Sequence, residues 1–325
     1  MNDHASRRPE DDLLCNMDLA LRGIFYPLGY SIEIMTNRPA VLSAADECFG
    51  HACSQRGDTP LQIRIGIVDG GGSACPPEPT RREFNHLYSL VADAENQALL
   101  DLESGTNFTW VTPGAVDNIQ YFRSNFLEKT VYLLLGASVV TDIHAACVGK
   151  NGKGILLCGN SGAGKTTLAY ACARAGWTYT SDDTSYLMNR SESPRVIGHS
   201  HRVRFRPSAK QLFPELESLA VTPRMEGKPS IEVPISELPI ERTAAEVAVH
   251  SIVYLNRVPS AKGELMRLPN GTASKRMGEA LYSAGPLRAR HIKNLEVFHD
   301  LPNYELKYCD LKDAIEALES LSWRS

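Results

Sequence analysis

The stretch Gly159-Asn160-Ser161-Gly162-Ala163-Gly164-Lys165-Thr166 follows the pattern G-x-x-x-x-G-K-[ST]. Residues of these types at this spacing can hold a polyphosphate. Glycines let a backbone close around phosphate oxygens with φ values that other residues resist. Successive N–H groups then point inward and form an anion nest at the positive end of the following helix. In that chemistry Lys165 reaches the β- and γ-phosphates and the Thr166 hydroxyl holds Mg2+. Gly159 through Thr167 are the expected nucleotide-binding residues, with ATP and Mg2+ as the expected cofactors.

Such a loop needs a strand before it and a helix after it. Residues 154–158, Gly-Ile-Leu-Leu-Cys, are a short apolar run of the kind that makes a buried strand. Residues 167–175 are mostly good helix formers, and Gly176 is placed to close that helix. A second strand is expected over 143–148, joined to the first through Gly149-Lys150-Asn151-Gly152-Lys153. Asn-Gly at that position signals a tight hairpin, so the two strands should pair antiparallel.

Two carboxylates follow at the end of the next expected strand, over 177–180: Asp182 and Asp183. In α/β sheets ligands gather at the carboxyl ends of strands. Both aspartates are candidates for Mg2+ coordination and for base catalysis, because phosphoryl transfer to a hydroxyl needs a proton acceptor and a metal. The alternative is a turn pair that caps the next element. His144 lies on the strand that hairpins into the glycine loop. A lone strand histidine is more often a packing residue, so the sequence leaves both roles open.

The segment 143–186 resembles the catalytic core of the HPr kinase/phosphorylase family. That core has a histidine before the loop, a short hairpin, G-x-S-G-x-G-K-[ST], a helix ended by glycine, and an Asp-Asp pair. Their counterparts here are His144, the turn through Asn151-Gly152, Gly159 to Thr166, Gly176, and Asp182-Asp183. The resemblance implies that Asp182 acts on the proton of an acceptor serine and that His144 and Lys165 share its catalytic site. It also implies Mg2+ bound with help from Thr166 and Asp183. The bifunctional members carry E-x-R-G-x-G downstream. The corresponding region here, Ile197-Gly198-His199-Ser200-His201-Arg202-Val203-Arg204-Phe205-Arg206-Pro207, lacks it. The chain therefore resembles the divergent HPr-kinase-like proteins, some of which modify ribosomally made peptides or other acceptors, more than it resembles the phosphorylases. Arg204, Arg206 and Lys228 are candidate phosphate contacts, with solvated loop charge as the alternative.

Composition sets outer bounds. The 325 residues are 43% hydrophobic and 22% charged, an ordinary globular balance. A net charge of −4 offers no basic footprint for nucleic acid. The most apolar run, residues 131–140, is about half the length of a membrane span. The polar first 18 residues hold no apolar signal core. Eight cysteines are scattered without a C-x-x-C pair, which reads as reduced thiols in a cytoplasmic protein, with Cys158 and Cys172 buried.

Two parts are expected. Residues 1–118 should form a strand-rich α+β domain, with strands over 30–35 and 61–68, a helix over 43–56 and a meander over 86–111. Residues 69–79 should be a Gly/Pro loop and 1–12 disordered. Residues 119–325 should form the α/β catalytic domain, a P-loop core of the HPr-kinase type with a mixed sheet. A helix over 119–140 should join the two. The first part carries no chemistry-bearing motif, so acceptor recognition or assembly, including a homo-oligomer, is its expected task. The function expected of the whole is transfer of phosphate from ATP to a hydroxyl, serine above all, on a protein or peptide acceptor. The alternatives are a small-molecule hydroxyl kinase and a nucleotide-binding regulator without phosphotransfer.

Overall fold

The computed structural model describes residues 17–51, 56–68, 74–189, 191, 193–221, 229–281, 283 and 285–321. The expectations for residues 1–12, for 69–73 of the Gly/Pro loop, and for Lys228 lie outside them. The fold is mixed α/β, and the chain divides into two compact units, 1–138 and 139–325.

In the first unit the strands are β1 (Leu21–Phe25), β2 (Tyr30–Thr36), β3 (Arg56–Ile67), β4 (Thr80–Phe84), β5 (Leu87–Val91), β6 (Gln97–Asp101) and β7 (Thr106–Val111). They form one sheet in the order β1-β2-β3-β7-β6-β5-β4. The expected meander is present, since β5, β6 and β7 pair antiparallel. Helix α1 (Pro39–Phe49) starts earlier than expected and stops at Gly50. Pro39 sits in its first turn, where the fixed φ favours helix and the missing N–H is no loss. The short helices α2 (Pro113–Asp117) and α3 (Ile119–Phe122) lead through a π-helical turn, Arg123–Leu127, into α4 (Glu128–Ser138). The apolar period from Ile119 is thus helical as expected. It counts with the first unit, however, so the division falls after Ser138 and not after Asn118.

The second unit holds β8 (Val140–Ile143), β9 (Ala145–Lys150), β10 (Lys153–Cys158), α5 (Lys165–Arg174), β11 (Thr178–Ser181), β12 (Ser185–Met188), β13 (Arg195–Gly198), β14 (Arg202–Phe205) and β15 (Ile231–Pro234). After these come β16 (Glu246–Arg257), β17 (Glu264–Arg267), α6 (Thr272–Glu279), α7 (Gly285–Asn294), β18 (Asn303–Tyr308) and α8 (Leu311–Glu319). The long strand β16 is the spine. It pairs parallel with β10 and β18 and antiparallel with β13. Strand β10 also pairs antiparallel with β9, through the expected turn. Asn151 at φ 50° and Gly152 at φ 77° give that turn the left-handed pair that a two-residue hairpin requires.

Helix α5 packs its apolar side on one face of this sheet. Leu168, Ala169 and Cys172 are buried there against Ile155, Leu157, Val253 and Leu306, with Trp177 at the helix end. Cys158 and Cys172 are both buried, as expected. The opposite face is covered by α6 and by residues near α7, with Ala273, Met277, Leu295 and Phe298 meeting Cys147, Leu156 and Ile252. Leu168 is wholly enclosed. Leu168→Ala should therefore cost about 2–5 kcal/mol of stability, because the cavity it leaves cannot collapse against a sheet. Denaturant melts measure this, and a cost near zero would remove α5 from the core.

Candidate active site

The two-residue turn does more than connect β9 to β10. It fixes their register, in which Lys153 faces Lys150 and Cys158 faces Ala145. A slip of one residue would reverse every side chain of the strand. With this register the next residues outward, His144 and Gly159, emerge side by side at the sheet's end. His144 is not on a strand as expected; it occupies the bend between β8 and β9. Leaving the ladder frees it to turn toward the loop.

The glycine loop runs between β10 and α5. Gly159, Gly162 and Gly164 have φ of 155°, 90° and 96°. Gly164 is irreplaceable on a second count, since a Cβ there would lie 2.5 Å from the Tyr308 hydroxyl. That hydroxyl donates to the Ala163 carbonyl at 2.8 Å and braces the loop from β18. The next residue, Lys165, begins the helix and is only 4% exposed.

The Lys165 ammonium is the centre of the arrangement. It donates to His144 Nε2 at 2.9 Å and to the Gly159 carbonyl at 2.9 Å, and lies 3.4 Å from Asp183 Oδ1. Lysine can only donate, so Nε2 carries the lone pair and the ring proton sits on Nδ1. Nδ1 in turn lies 3.7 Å from Asp183 Oδ1. Burial lowers the His144 pKa below 6.5; Asp183 pulls it up and Lys165 pushes it further down. Burial also lowers the Lys165 pKa, opposed by Asp183 and aided by the positive charge of Arg206.

Asp183 is held beside this pair by a buried hydroxyl chain. Ser181 and Ser185 share a hydrogen bond of 2.7 Å, and Ser185 Oγ donates to the Ala145 carbonyl at 2.9 Å. The Asp182-Asp183 bend is thereby stapled to the start of β9. The two aspartates part company. Asp183 reaches Lys165 and stays half open, with 53% of its side chain exposed. Asp182 turns to β14, where its Oδ2 accepts the Arg204 backbone N–H at 2.8 Å. Its own carbonyl meets the Thr166 hydroxyl at 3.3 Å. Burial lifts the Asp182 carboxyl from 3.8 to about 6, against the pull of the Arg204 N–H.

The downstream arginines separate as well. Arg204 Nη2 is 3.0 Å from Glu232 Oε2, a carboxylate it shares with Arg202, so its charge is already engaged. Arg206 is exposed, and its guanidinium has no hydrogen bond or ion pair among the described residues. His199 packs edge-on between Tyr186 and His201, and burial pushes its pKa down to about 3. Beside the loop opens a cleft of about 550 Å3, lined by His144, Gly159, Asn160, the end of β16 and α6. Sequence reasoning missed Tyr308 and this cleft. Tyr308 and the far wall of the cleft, from Tyr254 to Glu305, come from strands and a helix 95 or more positions beyond Gly159, with no local signature pointing back to the loop.

The residues fit the expected cofactors. The open space at Gly162, where an added Cβ would meet nothing within 4 Å, suits a bound polyphosphate. The Thr166 hydroxyl and the Asp183 carboxylate are hard oxygen donors of the kind Mg2+ takes. No cluster of three or more His, Cys, Asp or Glu among the described residues could hold a metal alone. Mg2+ usually draws its remaining ligands from phosphates and water.

No protein-family model matches the chain, and no curated protein does. Among solved structures, the HPr(Ser) kinase/phosphatase from Coxiella burnetii is similar at a TM-score of 0.31 and 10% identity, over 57% of this chain and 99% of its own. At that score no common fold is established, and the chemistry rests on the residues themselves. No helix among the described residues is long and apolar enough to cross a membrane.

The Asp182 shift carries a consequence for stability. The folded-state value is the higher, so this group's stabilisation is complete below about pH 3.8 and is lost as pH rises through about 6. Asp182→Asn keeps the acceptor for the Arg204 N–H and cannot ionise. Between about pH 4 and pH 7 its unfolding free energy should improve relative to wild type by about 1–3 kcal/mol. A difference that stays flat with pH would mean the carboxyl titrates normally.

Proposed function

We propose that this chain is an ATP-dependent kinase of the P-loop type that phosphorylates a hydroxyl, serine above all, on a protein or peptide. The observation that carries this reading is the Lys165 ammonium, buried at the start of α5 and surrounded by His144, Asp183 and the Gly159 carbonyl. A buried cation needs compensating partners. A helix N-terminus with a glycine nest invites an anion to supply them.

Each residue then has a task. The N–H groups from Gly159 to Thr167 bind phosphate, and Lys165 offsets its charge. Neutral His144 orients the lysine from the side by accepting its N–H hydrogen bond at Nε2. Thr166 and Asp183 would hold Mg2+, which when bound neutralises charge on the phosphates. Asp182 accepts the proton of the acceptor hydroxyl. Its carboxyl, lifted to about 6, is basic enough for that task near neutral pH, and the Arg204 N–H fixes its direction. Arg206 remains available for transition-state charge, whereas Arg204 is occupied by Glu232. A regulator that only binds nucleotide would have no use for the Asp182 arrangement. We place the protein in the cytoplasm, where ATP and reduced thiols coexist, and assign the first unit to acceptor recognition or self-assembly.

Calorimetric titration with ATP and Mg2+ tests the binding half. Lys165→Ala should lose most of the affinity, and unchanged affinity would end the nucleotide reading. Asp182→Asn should still bind ATP but lose transfer by about 10²–10⁴-fold, the usual weight of a general base. Full activity in that variant would take the proton-accepting role away from Asp182. The missing E-x-R-G-x-G segment gives a further expectation. Phosphorylated acceptor incubated with enzyme, Mg2+ and excess inorganic phosphate should release little pyrophosphate. Release as fast as the forward reaction would show a phosphorylase.

A further inference from the structure

The cleft beside the loop is a binding site with a direction. Its rim is formed by His144, Gly159 and Asn160. These groups also surround the Lys165 ammonium, through His144 Nε2 and the carbonyls of Gly159 and Asn160 at 2.9, 2.9 and 3.5 Å. In a phosphate-binding loop the lysine marks the β- and γ-phosphate end. The cleft therefore opens at the end where a phosphoryl group would leave, on the side of the sheet away from α5. Resting on the kinase reading above, we propose that it binds the acceptor, and that the acceptor is a peptide segment with a lysine or arginine close to its serine.

The lining argues for that chemistry. The floor is apolar, with Ile143, Leu255 and Met277. Above it stand two carboxylates. Glu305 comes from β18, and its Oε1 accepts from Asn256 at 3.0 Å. Glu279 comes from α6, is exposed, and has no ion pair among the described residues. The single guanidinium in the lining, Arg276, is stacked on the Tyr254 ring, 4.8 Å from its centroid. Two carboxylates against one engaged cation leave the cleft with an excess of negative charge. An apolar floor below carboxylates matches lysine and arginine, whose stems bury on apolar surface while the charged head stays polar. The volume of about 550 Å3 suits a short segment rather than a folded surface. A folded acceptor must therefore present its serine on an extended loop or tail.

The chemistry balances without a further reactant. The serine Oγ–P bond forms as the bond from the γ-phosphorus to the oxygen of ADP breaks. The hydroxyl proton passes to Asp182. The basic flank stays in the cleft and takes no part in bond making.

The test measures binding separately from transfer. Fluorescein-labelled peptide pools with a central serine and flanks rich in Lys/Arg, in Asp/Glu or in Ala are titrated with the full chain at physiological salt, which screens diffuse attraction. Affinity is read by anisotropy, and ATP binding is measured by calorimetry on the same preparations. The basic pool should bind at least tenfold tighter than the others. Glu279→Lys, an exposed change that should leave the melting temperature and ATP affinity intact, should reverse the preference toward the acidic pool. Glu305→Gln should weaken the basic pool without reversal. Three results overturn the proposal: equal binding of the pools, a basic preference untouched by Glu279→Lys, or transfer to small hydroxyl compounds with no peptide bound. Loss of ATP binding in the wild type would instead overturn the kinase reading, since the peptide titrations contain no nucleotide.

Discussion

One buried charge organises the second unit. An ammonium at 4% exposure is unstable unless acceptors and an opposite charge are placed around it. That requirement reaches across the sheet. The register of β9 and β10 delivers His144 beside Gly159. The loop contributes its own carbonyls, and the Ser181–Ser185–Ala145 chain delivers Asp183. Strand β18 sends Tyr308 to brace the turn that precedes the lysine. None of these contacts alone is strong. Together they hold a cation ready at a helix N-terminus, where an anion is already favoured.

The parallel strands explain why the site lies where it does. Strands β10, β16 and β18 run in one direction, so their carboxyl ends share one edge. The bend after β11 and the bend before β9 bring the aspartates and His144 to that same edge. Helices on both faces bury the sheet and leave this edge as the open one. Charge is then divided along it: Lys165 and Arg206 on the loop side, Glu279 and Glu305 in the cleft. In the proposed reading this division separates the nucleotide's place from the acceptor's.

What the sequence made legible follows from how local each signal is. The Asn151-Gly152 hairpin, the glycine loop, α5 and its closing Gly176 are short-range patterns, and the structure contains each of them. Strand β18, helix α7 and the pairing of β14 with β15 were not legible, because brief polar-rich elements are fixed only by distant partners. The departure of His144 from its strand was also hidden, since it answers to Lys165 and not to its neighbours. The split roles of Asp182 and Asp183 depend on Arg204, more than twenty residues further along the chain. Helical periodicity marks the segment from Ile119 to Ser138 as helical but does not tell which core it joins, and it counts with the first unit.

In the proposed reading Lys165 is held in place to meet a nucleotide's terminal phosphates. The most direct measurement is a crystal structure of the full chain with Mg2+ and a non-hydrolysable ATP analogue. The triphosphate should lie within the turn from Gly159 to Thr166, with Lys165 Nζ bonded to phosphate oxygen and Mg2+ held with help from Thr166 and Asp183. A structure showing the nucleotide bound elsewhere, with Lys165 still enclosed by His144 and Asp183, would contradict it.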